Sequence, residues 1–246
     1  MGDGFRFRDL GWRARATYIA HAFKAMAKQH HREMAPVLRR FMPEDAVVFD
    51  IGGHAGQFAK LFAKIARQGR VYTFEPSPYA LSILRLGVRA SGLDNITVVP
   101  MGLGDAAGRH TLTTPLKERG SRGYGLAHLG VGGDSGRPTV TQEVRITTLD
   151  AFAAEAGIGR LDFIKADVEG WELRMLKGGA RTIERHRPAL MIEFDATHLA
   201  RAGDTLEGAW ETLLSWGYKP WLWLGAEDLE PRPGPPPGAP FLPPAR

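Results

Sequence analysis

A strand, a glycine turn and a helix follow one another between residues 47 and 67, and no other stretch constrains the fold as strongly. The apolar run Val47–Ile51 predicts a short buried strand that contains a single acid, Asp50. Gly52 and Gly56 lack a Cβ atom, so the turn can adopt positive φ and a ligand can approach its backbone. A buried strand that passes through glycines into a helix is the ligand-binding corner of a doubly wound α/β sheet.

The spacing of this turn, Asp-x-Gly-x-x-x-Gly, excludes two common nucleotide motifs. The G-x-G-x-x-G fingerprint would require glycine at Ile51 or at His54, and a Walker loop would require Gly-Lys-Ser/Thr. An acidic strand end instead suits a ligand with a cationic amino-acid end, such as S-adenosylmethionine (SAM). The predicted cofactor contacts in this turn are Asp50, Gly52, Gly53, His54 and Gly56. The alternative is an ordinary turn of an α/β protein that binds no cofactor.

The next two predicted strands extend this site. Residues 70–75 form the second strand, and Glu75 lies at its tip, 25 residues after Asp50. A carboxylate at that place can accept hydrogen bonds from both ribose hydroxyls of a nucleoside. The third strand, residues 96–101, would bring residues 101–105 beside the adenine. We therefore add Glu75, Pro76 and Gly102 to the predicted cofactor contacts.

Two later strands also end in acids. Asp167 follows a buried strand that should neighbour the first one, which would place its carboxylate at the reactive end of the cofactor. A hydroxyl acceptor needs a group that takes its proton, and Asp167 is the first choice, with Glu193 and His198 as alternatives. Asp167 could instead hold the amino group of the cofactor or, together with Glu193, a Mg²⁺ ion. No spaced histidine pair marks a metal site, so no metal is predicted, and Glu169 is expected to face the amides of the following helix.

These motifs together resemble the FkbM family of SAM-dependent methyltransferases. The resemblance covers roughly residues 45–224, and its most specific part is the stretch Asp167-Val168-Glu169-Gly170-Trp171-Glu172. The family usually has Ala-Asn where this chain has Gly53-His54. The resemblance implies a class I methyltransferase fold, a Rossmann-like three-layer α/β sandwich with a mostly parallel sheet. It also implies an enzyme that methylates hydroxyl groups of sugars, glycans or natural products, with a small hydroxylated or glycosyl acceptor as its partner.

Patterning outside the motifs suggests three parts of the chain. Residues 1–44 contain nine Lys or Arg and four Asp or Glu, so this segment alone carries the net charge of +5. Residues 45–226 form the predicted methyltransferase domain, with a β-hairpin insertion (108–114 and 140–146). For the glycine-rich segment between its strands (119–137), a lid that orders when the acceptor binds is favoured over plain disorder. Residues 227–246 are a proline-rich tail, and polyproline structure or disorder is expected for residues 231–246, half of which are proline.

The basic N-terminal segment leaves the choice of partner open. Its apolar residues from Trp12 to Phe41 recur every three or four positions, which predicts one or two helices that pack on the main domain. A solvated helix face is favoured over contact with nucleic acid or weak contact with an anionic membrane surface. No apolar run is long enough to span a membrane, no signal peptide is evident and cysteine is absent, so a cytoplasmic location is expected.

Three other functional classes share parts of this pattern. A nucleic-acid methyltransferase would explain the basic segment, but amino-methylating enzymes of that kind carry Asn or Asp followed by Pro-Pro and an aromatic residue where this chain has Asp167–Gly170. An NAD-dependent oxidoreductase would need the G-x-G-x-x-G fingerprint, which this sequence lacks. A SAM-binding module without activity is a further alternative. The sequence does not indicate an oligomeric state.

Overall fold

The computed structural model describes residues 5–115, 128–129, 139–232, 234 and 241–242. The α-helices are α1 (Trp12–Ala27), α2 (Ala35–Arg39), α3 (Gln57–Ile65), α4 (Pro78–Ser91), α5 (Leu149–Glu155), α6 (Glu172–Gly178), α7 (Ala180–His186), α8 (Ala196–Arg201) and α9 (Leu206–Ser215). The strands are β1 (Val47–Ile51), β2 (Arg70–Phe74), β3 (Ile96–Val99), β4 (Gly102–Leu103), β5 (Gly108–Pro115), β6 (His128–Leu129), β7 (Thr139–Thr147), β8 (Phe163–Ala166), β9 (Ala189–Ile192), β10 (Trp221–Gly225), β11 (Asp228–Pro231) and β12 (Phe241–Leu242). Within the described ranges, no helix is both long and apolar enough to cross a bilayer.

The central sheet is parallel and has the strand order β3-β2-β1-β8-β9. The order reverses beside β1, because the chain builds outward to β3 on one side and later adds β8 and β9 on the other. A crevice opens at such a switch point, outside the carboxyl ends of the strands. The register places Asp50 of β1 opposite Thr73 of β2 and Lys165 of β8, so polar residues of three strands meet at the site.

Helices cover both faces of this sheet, which gives the predicted three-layer α/β sandwich. Val48 and Phe49 are both fully buried, but they belong to two different apolar clusters because successive side chains point to opposite faces. Phe49 packs with residues of α6, α7 and α9, whereas Val48 packs with residues of α2 and α3. A strand that is buried on both faces is apolar nearly throughout, and in β1 every residue except Asp50 is apolar.

The predicted β-hairpin is present at one side of the central sheet. Strands β5 and β7 pair in antiparallel fashion over their whole lengths, and with β4 and β6 they form a second sheet of order β4-β7-β5-β6. The glycine-rich segment 119–137, which the sequence predicts to be a lid, lies outside the described residues except for His128 and Leu129. These two residues form β6 and pair with β5.

The C-terminal region differs from the expectation. The sequence predicts that residues 218–224 close the central sheet and that residues 231–246 lack packed structure. Instead, β10 pairs in antiparallel fashion with β11 and β12 in a separate sheet. A tight turn with positive φ at Gly225 (120°) and Ala226 (46°) makes this hairpin possible, and Pro231 is tolerated because it lies at the end of β11.

Helix α1 also differs from the expectation, because the apolar stripe predicted to pack on the domain is only partly buried. The later part of the stripe, which includes Val37 of α2, lies in the core. The earlier part, on α1, is exposed and includes Trp12 and Phe23.

α1 instead packs on α4 through its other face. The peptide and Cβ of Ala25 lie against Gly87, where an added Cβ would be 3.4 Å from the Ala25 carbonyl oxygen. The ring of Tyr18 meets that of Tyr79 edge-on at 5.3 Å, so small and aromatic side chains together form the packing face.

Candidate active site

The glycine turn after β1 is wedged between the two neighbouring strands. The N–H groups of Gly52 and Gly53 donate to the carbonyl of Phe74 at 3.0 and 2.9 Å. Gly52 has a φ of +78°, and a Cβ added there would lie 1.9 Å from the carbonyl oxygen of Asp167. A Cβ added at Gly53 would lie 2.0 Å from Thr73 Oγ1. The close approach of three chain segments therefore requires glycine at both positions.

Beneath the turn lies a buried polar group that the sequence did not reveal. Asp50 is fully buried and accepts a hydrogen bond from Thr73 Oγ1 at 2.9 Å. Lys165 Nζ lies 4.0 Å from Asp50 Oδ1 and donates to the carbonyl of Gly52 at 3.1 Å. Burial raises the pKa of Asp50, although Lys165 and the Thr73 hydroxyl counteract the rise. Asp50 therefore supports the turn from below and is not among the residues that line the cavity described next, and its contact with a cofactor remains a prediction.

A cavity of about 390 Å³ opens above the carboxyl ends of β1, β2 and β8. This volume lies within the range of small-molecule sites, roughly 300–1,000 Å³. Its polar wall contains His54, Glu75, Asp167 and Glu193, and its apolar wall includes Leu103. The strand ends thus gather carboxylates at one side of a mostly apolar pocket.

Glu75 is the most enclosed carboxylate of the cavity wall. Its residue is 6% exposed, its Oε2 accepts from the N–H of His54 and its Oε1 accepts from the N–H of Ser77, both at 2.8 Å. Burial raises the pKa of Glu75 to about 7, and the two backbone hydrogen bonds limit the rise. Each carboxylate oxygen has a second lone pair, so Glu75 can accept two further hydrogen bonds from a ligand.

The other predicted cofactor contacts divide into two groups. Gly52, Gly53, His54, Pro76 and Gly102 line the cavity together with Glu75. Among the described residues, Gly56 is not part of the cavity lining. It is instead the N-cap residue of α3 and has a φ of +76°. An added Cβ at Gly56 would meet Leu84 at 2.7 Å, so its role lies in packing and turn geometry. Burial, followed by the charge of Lys165, lowers the pKa of His54.

Asp167 and Glu193 line the cavity from the ends of the adjacent strands β8 and β9. Lys165 Nζ donates to Asp167 Oδ2 at 3.4 Å, which pairs this carboxylate with the buried cation. Burial and then the charge of Asp167 raise the pKa of Glu193, so the two carboxylates interact. The structure therefore brings together two of the three residues that the sequence proposes as proton acceptors.

The third candidate, His198, is not part of the cavity lining but contacts Glu169, which is. The Nδ1 atom of His198 and Oε2 of Glu169 are 2.7 Å apart, close enough for an ion pair, although their alignment is not that of a hydrogen bond. Glu169 lines the cavity, and burial followed by the charges of Asp167 and Glu172 raises the pKa of Glu169 to about 7. The cavity thus has an additional carboxylate that sequence reasoning assigned elsewhere.

The expectation for Glu169 is corrected by the loop before α6. Glu169 has a φ of 54° and Gly170 one of 105°, so the chain turns sharply before the helix starts. Glu172, not Glu169, accepts from the N–H groups of Val168 and Gly170, at 3.0 and 3.2 Å. Gly170 faces the backbone of His198, where an added Cβ would lie 2.2 Å from the carbonyl oxygen. The unusual backbone directs Glu169 into the cavity, and no simple residue spacing predicts this.

No cluster of three His, Asp or Glu side chains with metal-binding geometry occurs among the residues that the structure describes. The pair of Asp167 and Glu193 is held next to the ammonium of Lys165. The sequence-based alternative of a Mg²⁺ ion at this pair remains a prediction.

Comparisons with known proteins agree with this geometry. A family profile described as the methyltransferase FkbM domain matches residues 50–220, which is more than half of the chain. The 2-O-methyltransferase NoeI of Sinorhizobium fredii is 25% identical over 171 residues, which cover 64% of this chain and 65% of that protein. Methyltransferase sdnD of Sordaria araneosa is 25% identical over 56% of this chain and 61% of its own length. The chain therefore matches a little under two thirds of each of these relatives.

A solved structure supports the fold. The crystal structure of methyltransferase FkbM from Methylobacillus flagellatus KT superimposes with a TM-score of 0.53 at 19% identity and covers 94% of this chain and 59% of that one. At this identity the likeness concerns the fold alone, which is that of the Rossmann-like class I methyltransferases. The acids at the strand ends, the glycine turn and the match over residues 50–220 lead to one conclusion: the chain belongs to the FkbM methyltransferase family.

Proposed function

We propose that the protein transfers the methyl group of SAM to a hydroxyl oxygen of a small acceptor, such as a sugar, a glycan or a natural product. The observation that carries the proposal is Glu75, a buried carboxylate at the tip of β2. It lines the cavity, and each of its oxygens can accept a further hydrogen bond. One relative is a 2-O-methyltransferase, which supports an oxygen acceptor.

The residues of the cavity fit SAM. Glu75 would accept hydrogen bonds from the two ribose hydroxyls, since both of its oxygens are fixed by backbone N–H groups and each retains a lone pair. Leu103, Gly102 and Pro76 would flank the adenine, and the turn from Gly52 to His54 would contact the methionine end. When bound, SAM supplies a methyl group that its sulfonium makes electrophilic.

Positioning then supplies much of the rate, because the methyl group is already activated. Asp167 is held by Lys165 at 3.4 Å, so its carboxylate is fixed in place and can accept a hydrogen bond from the acceptor hydroxyl. Burial and then the charge of Asp167 raise the pKa of Glu193, which makes its carboxylate a stronger base than an exposed glutamate. We propose that these two carboxylates orient the hydroxyl and take its proton, and that His198 acts through its contact with Glu169.

A product screen with labelled SAM tests the proposal. The purified protein is incubated with methyl-labelled SAM and a panel of sugars, oligosaccharides and hydroxylated natural products, and labelled products are located by mass spectrometry. We expect label on an oxygen atom, and an Asp167→Asn/Glu193→Gln protein should give none while it still binds SAM. Label only on nitrogen, or only on nucleic acid, would refute the proposal. SAM binding without turnover on the panel or on a cell extract would favour a binding module.

A further inference from the structure

Helix α1 exposes a row of large apolar side chains. Trp12, Ile19, Phe23 and Met26 are 74, 58, 66 and 43% exposed. Their spacing of seven, four and three residues places all four on the same face of the helix. We call these four residues the α1 stripe. Single exposed apolar residues are ordinary, but a contiguous row that contains two aromatic rings marks an interaction surface.

The opposite side of α1 attaches the helix to the domain. Ala22 and Ala25 are buried against α4, and the hydroxyl of Tyr18 lies 3.1 Å from that of Ser82. Lys60 of α3 donates to the carbonyl of Ala25 at 2.5 Å, at the end of α1. The helix is therefore fixed in orientation without using the α1 stripe, which faces outward among the residues that the structure describes.

The charged side chains of α1 itself all have one sign. The sequence of α1 contains no Asp or Glu, whereas Arg13, Arg15 and Lys24 are exposed and Lys28 follows the helix directly. At 3.6 residues per turn, Arg13 and Lys24 lie on one flank of the stripe and Arg15 lies on the other. The Arg13 guanidinium stacks over the ring of Trp12 at 5.0 Å, so charge and apolar surface are in contact.

We propose that α1 docks the protein on an anionic lipid bilayer. The helix would lie in the plane of the interface, with the α1 stripe between the headgroups and the acyl chains and with Arg13 and Lys24 at the lipid phosphates. Apolar burial and attraction to anionic lipid are the two contributions that hold such helices at a membrane surface. Trp12 suits the interface because its ring is apolar and its N–H is polar.

A second copy of the chain fits the α1 stripe less well. A symmetric dimer through this face would bring the basic flanks of two helices together, and like charges at an interface are repulsive. An anionic bilayer complements both the apolar stripe and its flanks. The docking surface also lies near the cavity, because His31, four residues after α1, lines the cavity and stacks on Phe58 at 4.3 Å.

Co-sedimentation with vesicles tests the proposal independently of methyl transfer. The full chain is mixed with vesicles of equimolar phosphatidylcholine and phosphatidylglycerol, or of phosphatidylcholine alone. We expect sedimentation with the anionic vesicles, weaker sedimentation with the neutral ones, and release by salt. Protein that stays in the supernatant with anionic vesicles would overturn the proposal.

Matched variants separate the two contributions. Trp12→Ala/Phe23→Ala removes most of the apolar area and should weaken vesicle binding at least about tenfold. Arg13→Gln/Lys24→Gln should weaken it by about tenfold or more and reduce its salt dependence. The controls are Leu214→Ala, an exposed leucine of α9, and Arg185→Gln, an exposed arginine of α7, which should bind as the unchanged protein does.

Circular dichroism and sedimentation velocity complete the test. All variants should show the helical spectrum and the unfolding temperature of the unchanged protein, since the substituted side chains are exposed. Equal vesicle binding by Trp12→Ala/Phe23→Ala and the unchanged protein would overturn the proposal. So would a dimer that forms without lipid and is lost in that variant, because it would assign the α1 stripe to a second copy of the chain.

Discussion

Replacing Glu75 with glutamine tests the proposed hydrogen bonds between this carboxylate and the ribose of the cofactor. The change keeps the size of the side chain but removes its charge and one of its two acceptor oxygens. A hydrogen bond to a charged group contributes about 1.5–3 kcal/mol, and the variant would lose the charge from both ribose bonds and the acceptor from one. We expect a loss of roughly 2–4 kcal/mol, which raises the dissociation constant by about 30-fold to 1,000-fold.

Isothermal titration with S-adenosylhomocysteine measures this loss, because that ligand lacks the sulfonium charge and reports little on distant electrostatics. Glu193→Gln is the matched control, since it makes the same chemical change in the same cavity at a residue that is not assigned to the ribose. Its dissociation constant should stay within about threefold of the unchanged protein. A Glu75→Gln protein that binds as tightly as Glu193→Gln would refute the ribose assignment.

The pKa of Glu75 adds a pH dependence to this prediction. Burial raises that pKa to about 7 in the free protein, and ribose hydroxyls favour the ionised form. Ligand binding should therefore release a proton, and affinity should fall as the pH drops below 7, by at most about tenfold per pH unit. The Glu75→Gln protein should lack this component of the profile. An unchanged slope in the variant would show that another group titrates.

Three further predictions follow from the site. Asp167→Asn should reduce kcat by about 100-fold or more with little change in SAM affinity, as measured by single-turnover kinetics and titration, whereas a matching loss of binding would make Asp167 a cofactor ligand. Gly52→Ala should destabilise the fold by about 3 kcal/mol or more in urea unfolding, while Gly157→Ala, which also has a positive φ but open space around it, should cost only about 1 kcal/mol. Burial raises the pKa of Glu172 to about 7, above its value in the unfolded chain, so the stability present below the unfolded pKa is lost as the pH rises through 7. Glu172→Gln keeps the acceptor for the N–H groups of Val168 and Gly170 and should remove up to about 3 kcal/mol of this pH dependence. Parallel plots of the free energy of unfolding against pH for the variant and the unchanged protein would contradict the assignment.

Local sequence patterns were sufficient for the sheet and for much of the cavity wall. The apolar run of β1 and the glycines after it determine the turn, and the position of Glu75 at the end of β2 follows from strand length alone. Parallel strands align their carboxyl ends, so residues far apart in the chain, such as Glu75 and Asp167, meet without any further information. The antiparallel hairpin was predicted from the period-two alternation of its strands.

Features that depend on tertiary contacts were not predictable. Asp50 resembles a cavity residue by position, but Lys165 from the neighbouring strand and Thr73 hold it beneath the turn. Glu169 faces the cavity because of a positive-φ backbone that sequence spacing does not reveal. The apolar periodicity of α1 is visible in the sequence, but the face that packs is not, because α1 contacts α4 through Ala25 and Tyr18 rather than through its row of large apolar residues.

A crystal structure of the protein with S-adenosylhomocysteine is the most direct test of the central claim. We predict that the ribose hydroxyls lie within hydrogen-bonding distance of both carboxylate oxygens of Glu75, with the sulfur facing Asp167 and Glu193. An adenosyl group bound elsewhere, or bound in this cavity with its ribose turned away from Glu75, would contradict the account.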